Sequence, residues 1–396
     1  MGELNGSKRP GTAREVFGAF LPLGLTAFGG PVAHLGFFRT AFVEQRRWLS
    51  DSAYADLVAL CQFLPGPASS QVGMAIGLQR AGGLGLIAAW AAFTLPSALA
   101  MAAFGILLGT FGVLADAPWI LGLKAAAVAV VAQALLGMAS SLAGTRERAT
   151  IAAIAAIAIL LAPDRTVAQL AVIILGGFAG LALSDVDAPD KGAPTARTIP
   201  RPVGAAALAL FFVLLAGLPL LAGFGPALDL FDRIYRAGAL VFGGGHVVLP
   251  LLQSEMGSMV GEAQFLAGYG AAQAVPGPLF TFAAYLGAVS QPFGGVAGAS
   301  IALIAIFLPG ALLVVGVLPF WEGVRKMALA RRILAGVNAA VVGLLVAAFY
   351  DPVFTMGVPS AAALALAIAS FIALRQWHAP PWAVVVACGL IGWIAL

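Results

Sequence analysis

Long apolar stretches separated by short polar loops run through the whole 396-residue chain. Many of them reach the ~17–25 residues that an α-helix needs to cross a bilayer. They do not alternate polar and apolar positions as the strands of a membrane barrel do, so the pattern predicts an all-α polytopic membrane protein. We place about 13 hydrophobic segments, at approximately residues 15–38, 53–79, 84–113, 118–142, 149–163, 166–184, 203–223, 230–252, 264–290, 295–319, 329–350, 357–374 and 380–396.

Composition agrees with this pattern. The chain is 61% hydrophobic and 10% charged, whereas soluble proteins are about 25% charged. The net charge of +4 comes from Lys and Arg in the loops, so it indicates cytoplasmic loops rather than a nucleic-acid partner. Residues 1–12 are polar and basic with no cleavage site after a short apolar core, so we expect no removable signal peptide.

Two short motifs occur twice, in the same order. Phe28-Gly29-Gly30 recurs 214 residues later as Phe242-Gly243-Gly244, and Gln62-Phe63-Leu64-Pro65-Gly66-Pro67 recurs 211 residues later as Gln273-Ala274-Val275-Pro276-Gly277-Pro278. Chance similarity between apolar sequences does not keep unusual residues in order, so the chain contains a duplication. Further matched positions are Glu44 with Glu255, Gly77 with Gly287, Gly82-Gly83 with Gly294-Gly295, Pro96 with Pro309, and Gly122 with Gly336.

A long polar stretch between the sixth and seventh segments divides the two copies. Residues 185–202 contain several charges and prolines and are expected to form a cytoplasmic linker. The amino-terminal repeat is then 1–184, and the carboxyl-terminal repeat is 224–396. The unmatched helix 203–223 makes the second copy enter the membrane from the opposite side, which gives two inverted repeats.

The positions of Lys and Arg in the loops indicate whether every hydrophobic segment crosses the membrane. If all do and the amino terminus is cytoplasmic, the loop with Arg39, Arg46 and Arg47 falls outside, contrary to the positive-inside rule. If the segments with the repeated motifs are broken or re-entrant helices, that loop and Arg80 become cytoplasmic. Either arrangement leaves the amino terminus in the cytoplasm and the carboxyl terminus on the outer side of the membrane.

The repeated motifs also carry the candidate chemistry. Glycine and proline interrupt helices, and interruptions at membrane depth are tolerated where the backbone is packed in protein or lines a wet cavity. A helix that restarts after a break points unpaired N–H groups and a positive dipole end at the gap, which suits an anion. The expected substrate-binding residues are Gly29, Gly30, His34, Gln62, Pro65, Gly66, Pro67, Ser69, Lys124, Gly243, Gly244, His246, Gln273, Pro276, Gly277, Pro278 and Asn338. Ser70 is a further possible hydrogen-bond donor.

The motifs resemble the chromate ion transporter (CHR) family. Phe28 to Gly36, Phe42-Val43-Glu44, Arg47-Trp48-Leu49 and Gln62 to Pro67 are similar to the amino-terminal signature of that family, and Phe242 to Pro250 with Gln273 to Pro278 are similar to its carboxyl-terminal signature. The resemblance covers nearly the whole chain and fits the long, two-domain members, since short members carry one half per chain. Phe63 departs modestly, because alanine is common there.

This resemblance implies chromate expulsion driven by the proton-motive force, that is, an antiporter conferring chromate resistance, with protons and the lipid bilayer as its other partners. Sulfate or another divalent tetrahedral oxyanion is the alternative cargo. An intramembrane enzyme acting on a lipid-linked substrate is a different class, which the few buried titratable side chains disfavour. A passive anion channel and a homodimer both stay open. We expect no metal and no cofactor, and the protein is not expected to be an enzyme.

For three kinds of polar residue, both a functional and a purely structural role are open. His34 could donate to an oxyanion or carry a proton, or it could be a satisfied packing histidine. Lys124, which matches Asn338 in the other half, could face a cavity or extend to the membrane interface. Glu44 and Glu255 could exchange the coupling proton, or they could be loop carboxylates paired with arginine.

Overall fold

The computed structural model describes residues 11–27, 30–110, 118–162, 165–183, 199–241, 248–324 and 327–395. These ranges are helical and contain no β-strand, as the sequence predicts. The helices before the linker are α1 (Ala13–Thr26), α2 (Gly30–Arg39), α3 (Asp51–Phe63), α4 (Ala68–Thr110), α5 (Pro118–Leu142), α6 (Arg146–Leu161) and α7 (Arg165–Gly180).

The helices after the linker are α8 (Arg201–Leu221), α9 (Pro226–Leu240), α10 (Val248–Met256), α11 (Glu262–Gln273), α12 (Phe282–Val289), α13 (Gly295–Val317), α14 (Trp321–Val324), α15 (Ala328–Ala348), α16 (Thr355–Gly357), α17 (Ala361–Arg375) and α18 (Pro381–Ala395). Short 3-10 or π turns extend several of them, at Thr40–Gln45, Ala222–Phe224, Leu279–Thr281, Leu318–Phe320 and Phe349–Phe354.

Side-chain caps fix where several helices begin. Thr12 and Ser50 each accept a hydrogen bond at 3.2 Å from the backbone N–H three residues later, and Thr145 and Ser360 do the same for α6 and α17. Each cap satisfies one of the N–H groups that have no partner in the first turn of a helix. These four helix starts are therefore encoded locally in the sequence.

Each repeated motif interrupts a predicted apolar segment. Helix α3 ends at Phe63 and α4 begins at Ala68, while α11 ends at Gln273 and the next helical turn begins at Leu279. At the other motif, α1 ends before α2 begins at Gly30, and α9 ends before α10 begins at Val248. The chain therefore has paired helix breaks in both halves, and a new helical segment starts after each break.

Thirteen full spans are not confirmed. By length and composition alone, five helical segments of the described chain could cross a membrane: Ala68–Leu108, Pro118–Ser140, Arg201–Phe224, Gly295–Phe320 and Ala328–Asp351. Helices α6, α7, α17 and α18 have only 15 or 16 residues, about 24 Å at most. The predicted boundary near residue 80 is a kink inside α4, at Ala81 and Gly82, rather than a loop.

The outer ends of the broken segments meet at one end of each half. In the first half the N–H of Gly11 donates to the carbonyl of Arg80 at 3.0 Å, and the Arg80 guanidinium lies 5.1 Å from the centre of a Trp48 ring. At the matched positions of the second half, the N–H of Gln291 donates to the carbonyl of Met259 at 3.1 Å. These contacts are the ones expected if both broken segments of a half start and finish on the same side.

The two halves are interlocked by their later helices. Helix α1 packs against α4 and α9 packs against α13, within their own halves. In contrast, α5 of the first half packs against α17 and α18 of the second, and α15 of the second half packs against α6 and α7 of the first. Helix α8 lies at the periphery, where most of its residues are exposed.

Candidate functional site

The first Pro-Gly-Pro motif is bonded to the second half of the chain. Gly66 has a φ of +119°, which favours glycine, and its N–H donates to the carbonyl of Val241 at 2.7 Å. Val241 is the residue directly before the second Phe-Gly-Gly motif. The break in one half is therefore attached to the break in the other.

The second Pro-Gly-Pro motif makes the reciprocal contact. Gly277 has a φ of +94°, and its N–H donates at 2.9 Å to the carbonyl of Ala27, the residue directly before the first Phe-Gly-Gly motif. Each Pro-Gly-Pro motif thus holds the backbone that leads into the opposite Phe-Gly-Gly motif. The four breaks are therefore joined in two pairs, and each pair contains one break from each repeat.

Two proline-containing helices line the same region. A Cβ built on Gly66 would lie 3.4 Å from the Cα of Gly310, which follows Pro309 in α13. A Cβ built on Gly277 would lie 2.8 Å from the Oγ of Ser97, which follows Pro96 in α4. The glycines therefore allow a close approach between each break and the proline-containing helix of the opposite repeat.

His34 is buried beside this region, with 1% of its surface exposed. Its Nε2 lies 3.1 Å from the carbonyl of Ala27 and its Nδ1 lies 3.3 Å from the Oγ of Ser69. A carbonyl only accepts, so Nε2 carries the proton and donates to it. Both ring nitrogens therefore have protein partners. This favours a positioning role for His34, in which it holds the Ala27 carbonyl that accepts the hydrogen bond from Gly277.

Several buried polar groups near the first break have hydrogen-bonding capacity to spare. Within the described chain, Ser70 Oγ, Gln71 Oε1 and Thr94 Oγ1 have no hydrogen-bond partner. Gln71 is fully buried, and its amide donates at 2.9 Å to the carbonyl of Pro65. Buried polar atoms normally find partners. The hydroxyls of Ser70 and Thr94 can donate to an oxyanion, whereas Gln71 Oε1 only accepts and instead leaves Gln71 as a residue that holds the Pro65 carbonyl. The sequence analysis missed Gln71 and Thr94, because the matched positions of the other repeat carry different residues.

The other predicted residues differ in exposure, and Lys124 and Asn338 lie in the helices α5 and α15 rather than in the breaks. Pro67, Ser69 and Pro278 are buried, whereas Pro65, Gln273 and Pro276 are half-buried and Gln62 is exposed. Lys124 in α5 is buried, with 8% of its surface exposed, and Asn338 in α15 is half-buried. Gly29, Gly243, Gly244 and His246 lie outside the described residues.

The two matched glutamates differ in environment. Glu44 is about half-exposed and pairs with Arg39, which also binds Asp51 at 2.7 Å. Glu255 is 9% exposed, and its Oε2 lies 2.9 Å from the guanidinium of Arg236. Of the two carboxylates predicted to exchange a proton, only Glu255 is withdrawn from solvent.

An apolar groove of about 760 Å³ borders the second Pro-Gly-Pro motif. It lies between α4, α5, α11 and α18, and its lining includes Phe104, Trp119 and Val275. All the side chains that line it are apolar. Since a dianion needs polar partners or opposite charge, this groove does not suit the anion, which leaves the meeting point of the breaks as the candidate site.

Comparison with known proteins places the chain in a family. The family model described as "Chromate transporter" matches residues 14–181 and 228–393, one match in each half. A chromate transport protein of Pseudomonas aeruginosa is 30% identical over 393 residues, covering 96% of this chain and 92% of that protein. No solved structure matches the chain.

Two further relatives extend the comparison. A chromate transport protein of Cupriavidus metallidurans is 27% identical over 85% of this chain and 82% of its own length. A probable chromate transport protein of Synechococcus elongatus is 29% identical over 83% of this chain and 81% of its own length. With its apolar helices and paired breaks, the chain is a multi-pass membrane protein that belongs to the chromate transporter family.

Proposed function

We propose that this protein is a secondary active transporter that exports chromate across the bacterial inner membrane. The observation that carries the proposal is the reciprocal pair of hydrogen bonds, from Gly66 to Val241 and from Gly277 to Ala27, which joins each break to one of the other repeat. His34, between the Ala27 carbonyl and Ser69, links the two pairs. Inverted repeats with discontinuous helices bind their substrates where the repeats meet. The names of the relatives, chromate transport proteins, support chromate as the cargo.

The arrangement suits a dianion on electrostatic grounds. Helical segments begin directly after the breaks, at Gly30, Ala68, Val248 and Leu279. The first N–H groups of a helix have no partner within it, and the positive end of the helix dipole lies there. Ser70 and Thr94 can add hydroxyl donors, and Lys124, which is buried in α5, is a further candidate donor. The proposed binding residues are those of the sequence analysis together with Thr94, with His34 and Gln71 acting through the carbonyls of Ala27 and Pro65 that they hold.

Export is proposed to be driven by the proton-motive force, as an antiport that confers chromate resistance. Uptake of labelled chromate into inverted membrane vesicles tests this directly. We expect accumulation when the vesicles are energised, competition by excess sulfate, and loss of accumulation with an uncoupler. Chromate flux that only equilibrates, at a rate independent of the proton gradient, would indicate a passive channel. Accumulation of sulfate but not chromate would reassign the cargo.

A further inference from the structure

Three charged side chains meet beside the second Phe-Gly-Gly motif. The Nη2 of Arg236 lies 3.1 Å from Oδ2 of Asp232 and 2.9 Å from Oε2 of Glu255. Asp232 is 2% exposed and Glu255 is 9% exposed. One half-buried arginine therefore serves two buried carboxylates, and the three groups carry one more negative than positive charge when both carboxylates are ionised.

The hydrogen bonding of this cluster is incomplete. Within the described chain, Oδ1 of Asp232 and Nε of Arg236 are buried and have no hydrogen-bond partner. A carboxylate in a low-dielectric environment with an unpartnered oxygen is costly to keep ionised, and taking up a proton removes the charge. The surroundings therefore suit a carboxyl group that gains and loses a proton.

The other charged groups that act on the cluster are Asp229 and Arg233, one turn earlier on α9. Arg233 is already engaged, since it binds Asp229 at 2.8 Å and donates to the backbone carbonyl of Glu255 at 2.9 Å. Helix α13, which packs on α9, has no titratable side chain. His246 lies outside the described residues. The charged residues of the other contacting helices lie in their first turns: Arg201 in α8, Arg165 in α7, Glu262 in α11, and Arg331 and Arg332 in α15.

The cluster joins the two helices that flank the break. Asp232 and Arg236 belong to α9, which ends one residue before Val241, and Glu255 lies near the end of α10, which follows the motif. The carbonyl of Val241 accepts the hydrogen bond from Gly66. A change in the ion pairs between α9 and α10 therefore acts on helices that lead directly into the proposed chromate site.

The first repeat lacks this cluster. The positions 214 residues before Asp232 and Arg236 are Gly18 and Pro22 in α1. Glu44, which matches Glu255, pairs with Arg39 at a half-exposed position instead. One repeat therefore carries a buried ion cluster across its break, whereas the other carries small or rigid residues at the same places.

We propose that Asp232 and Glu255 form the proton-binding site of this transporter and that Arg236 is its switch. With both carboxylates ionised, Arg236 bridges them and ties α9 to α10. When one carboxylate takes a proton from solution, its ion pair with Arg236 is lost, and the proton later leaves to solution on the other side of the membrane. The two protonation states thus hold the helices around the break differently. This inference rests on the proposed function.

The test uses the purified full-length protein in liposomes and two assays. One measures accumulation of labelled chromate driven by a pH gradient, and the other measures exchange of labelled for unlabelled chromate without a gradient. In Asp232→Asn and Glu255→Gln we expect accumulation to fall about tenfold or more while exchange continues. The control Glu147→Gln, at an exposed carboxylate in the first turn of α6, should keep both activities.

The outcomes separate the inference from the proposed function. Unchanged accumulation in both variants overturns the inference, and so does an equal loss of accumulation and exchange, which a structural role predicts. If Asp232→Asn does not fold, Asp232→Glu keeps an exchangeable carboxyl group and should shift the pH midpoint of accumulation, and an unshifted midpoint overturns the inference. Absence of both chromate activities in the parent protein removes the proposed function as well.

Discussion

Gly66 and Gly277 occupy backbone conformations that other residues rarely adopt, with φ values of +119° and +94°. Each is also close to the opposite repeat, Gly66 to Gly310 and Gly277 to Ser97. Both the dihedral angle and the space therefore require glycine. The N–H of each glycine makes the contact that brings the breaks together, so a change here acts directly on the candidate site.

We predict that Gly66→Val and Gly277→Val abolish chromate accumulation in inverted vesicles while the protein still reaches the membrane. A side chain at a positive φ costs ~1–3 kcal/mol, and the added atoms would push the break away from its partner helix. Gly217→Val in α8 is the control, because a Cβ there meets nothing within 4 Å. Parental transport by both site variants would remove the breaks from the transport mechanism.

At the scale of helices, glycines allow α5 to pack closely on α18 and α15 to pack closely on α7. A side-chain carbon at Gly122 in α5 would overlap the carbonyl of Cys388 in α18, and one at Gly336 in α15 would overlap the carbonyl of Gly176 in α7. Gly122 and Gly336 are matched positions of the two repeats. Close backbone approach at small residues is a common way to pack helices in membranes, and here the same position does so in each half.

We predict that Gly122→Val lowers the thermal midpoint of the detergent-solubilised protein and reduces its yield. The clash is with backbone, which cannot rotate away, so the cost should lie at the upper end of the ~1–3 kcal/mol range for overpacking, or above it. Gly137→Val lies on the same helix and meets nothing within 4 Å, so it should behave like the parent. Equal midpoints for the two variants would contradict the packing of α5 against α18.

The all-helical class was predicted correctly from the sequence, and so were the breaks at the Pro-Gly-Pro motifs, because apolar runs and Pro-Gly-Pro are local signals. The 13 predicted segments are not confirmed. The sequence did not predict which helices pack together, since α6 and α17 present similar apolar faces and nothing local assigns either to α5 or α15. The sequence analysis also missed Asp232 and Arg236. It looked for residues that occur in both repeats, and the matched positions of the first repeat carry Gly18 and Pro22. The significance of Asp232 and Arg236 depends on Glu255, which is brought near by the fold.

For the whole molecule, loop charges and the contacts at the ends of the broken segments lead to one topology. Gly11, Trp48 and Arg80 meet at one end of the first half. We predict that single cysteines at positions 14, 47 and 190 are shielded from an impermeant thiol reagent in intact spheroplasts, whereas one at position 396 is modified. The natural cysteines, Cys61 and Cys388, are buried and free, and should first be replaced by alanine. Labelling of position 47 but not position 14 would contradict the re-entrant arrangement.

Helices of each half pack against helices of the other half, so neither half is expected to fold alone. Helix α15 has its main partners, α6 and α7, in the other half, and α5 has α17 and α18. A half expressed alone would expose these small-residue contact faces and leave its breaks without the opposite Ala27 or Val241 carbonyl.

We therefore predict that fragments 1–184 and 185–396 do not accumulate in the membrane when expressed separately but assemble when expressed together. The linker raises the effective concentration of one half for the other, and its loss should slow assembly more than it weakens the assembled protein. Chromate accumulation in vesicles from cells with both fragments should reach about a tenth of the parental level or more. The control pair carries Gly122→Val in the first fragment, which should prevent assembly. Stable, separately folded fragments would show that the contacts of α5 and α15 are dispensable, and the interlocked arrangement would then be wrong.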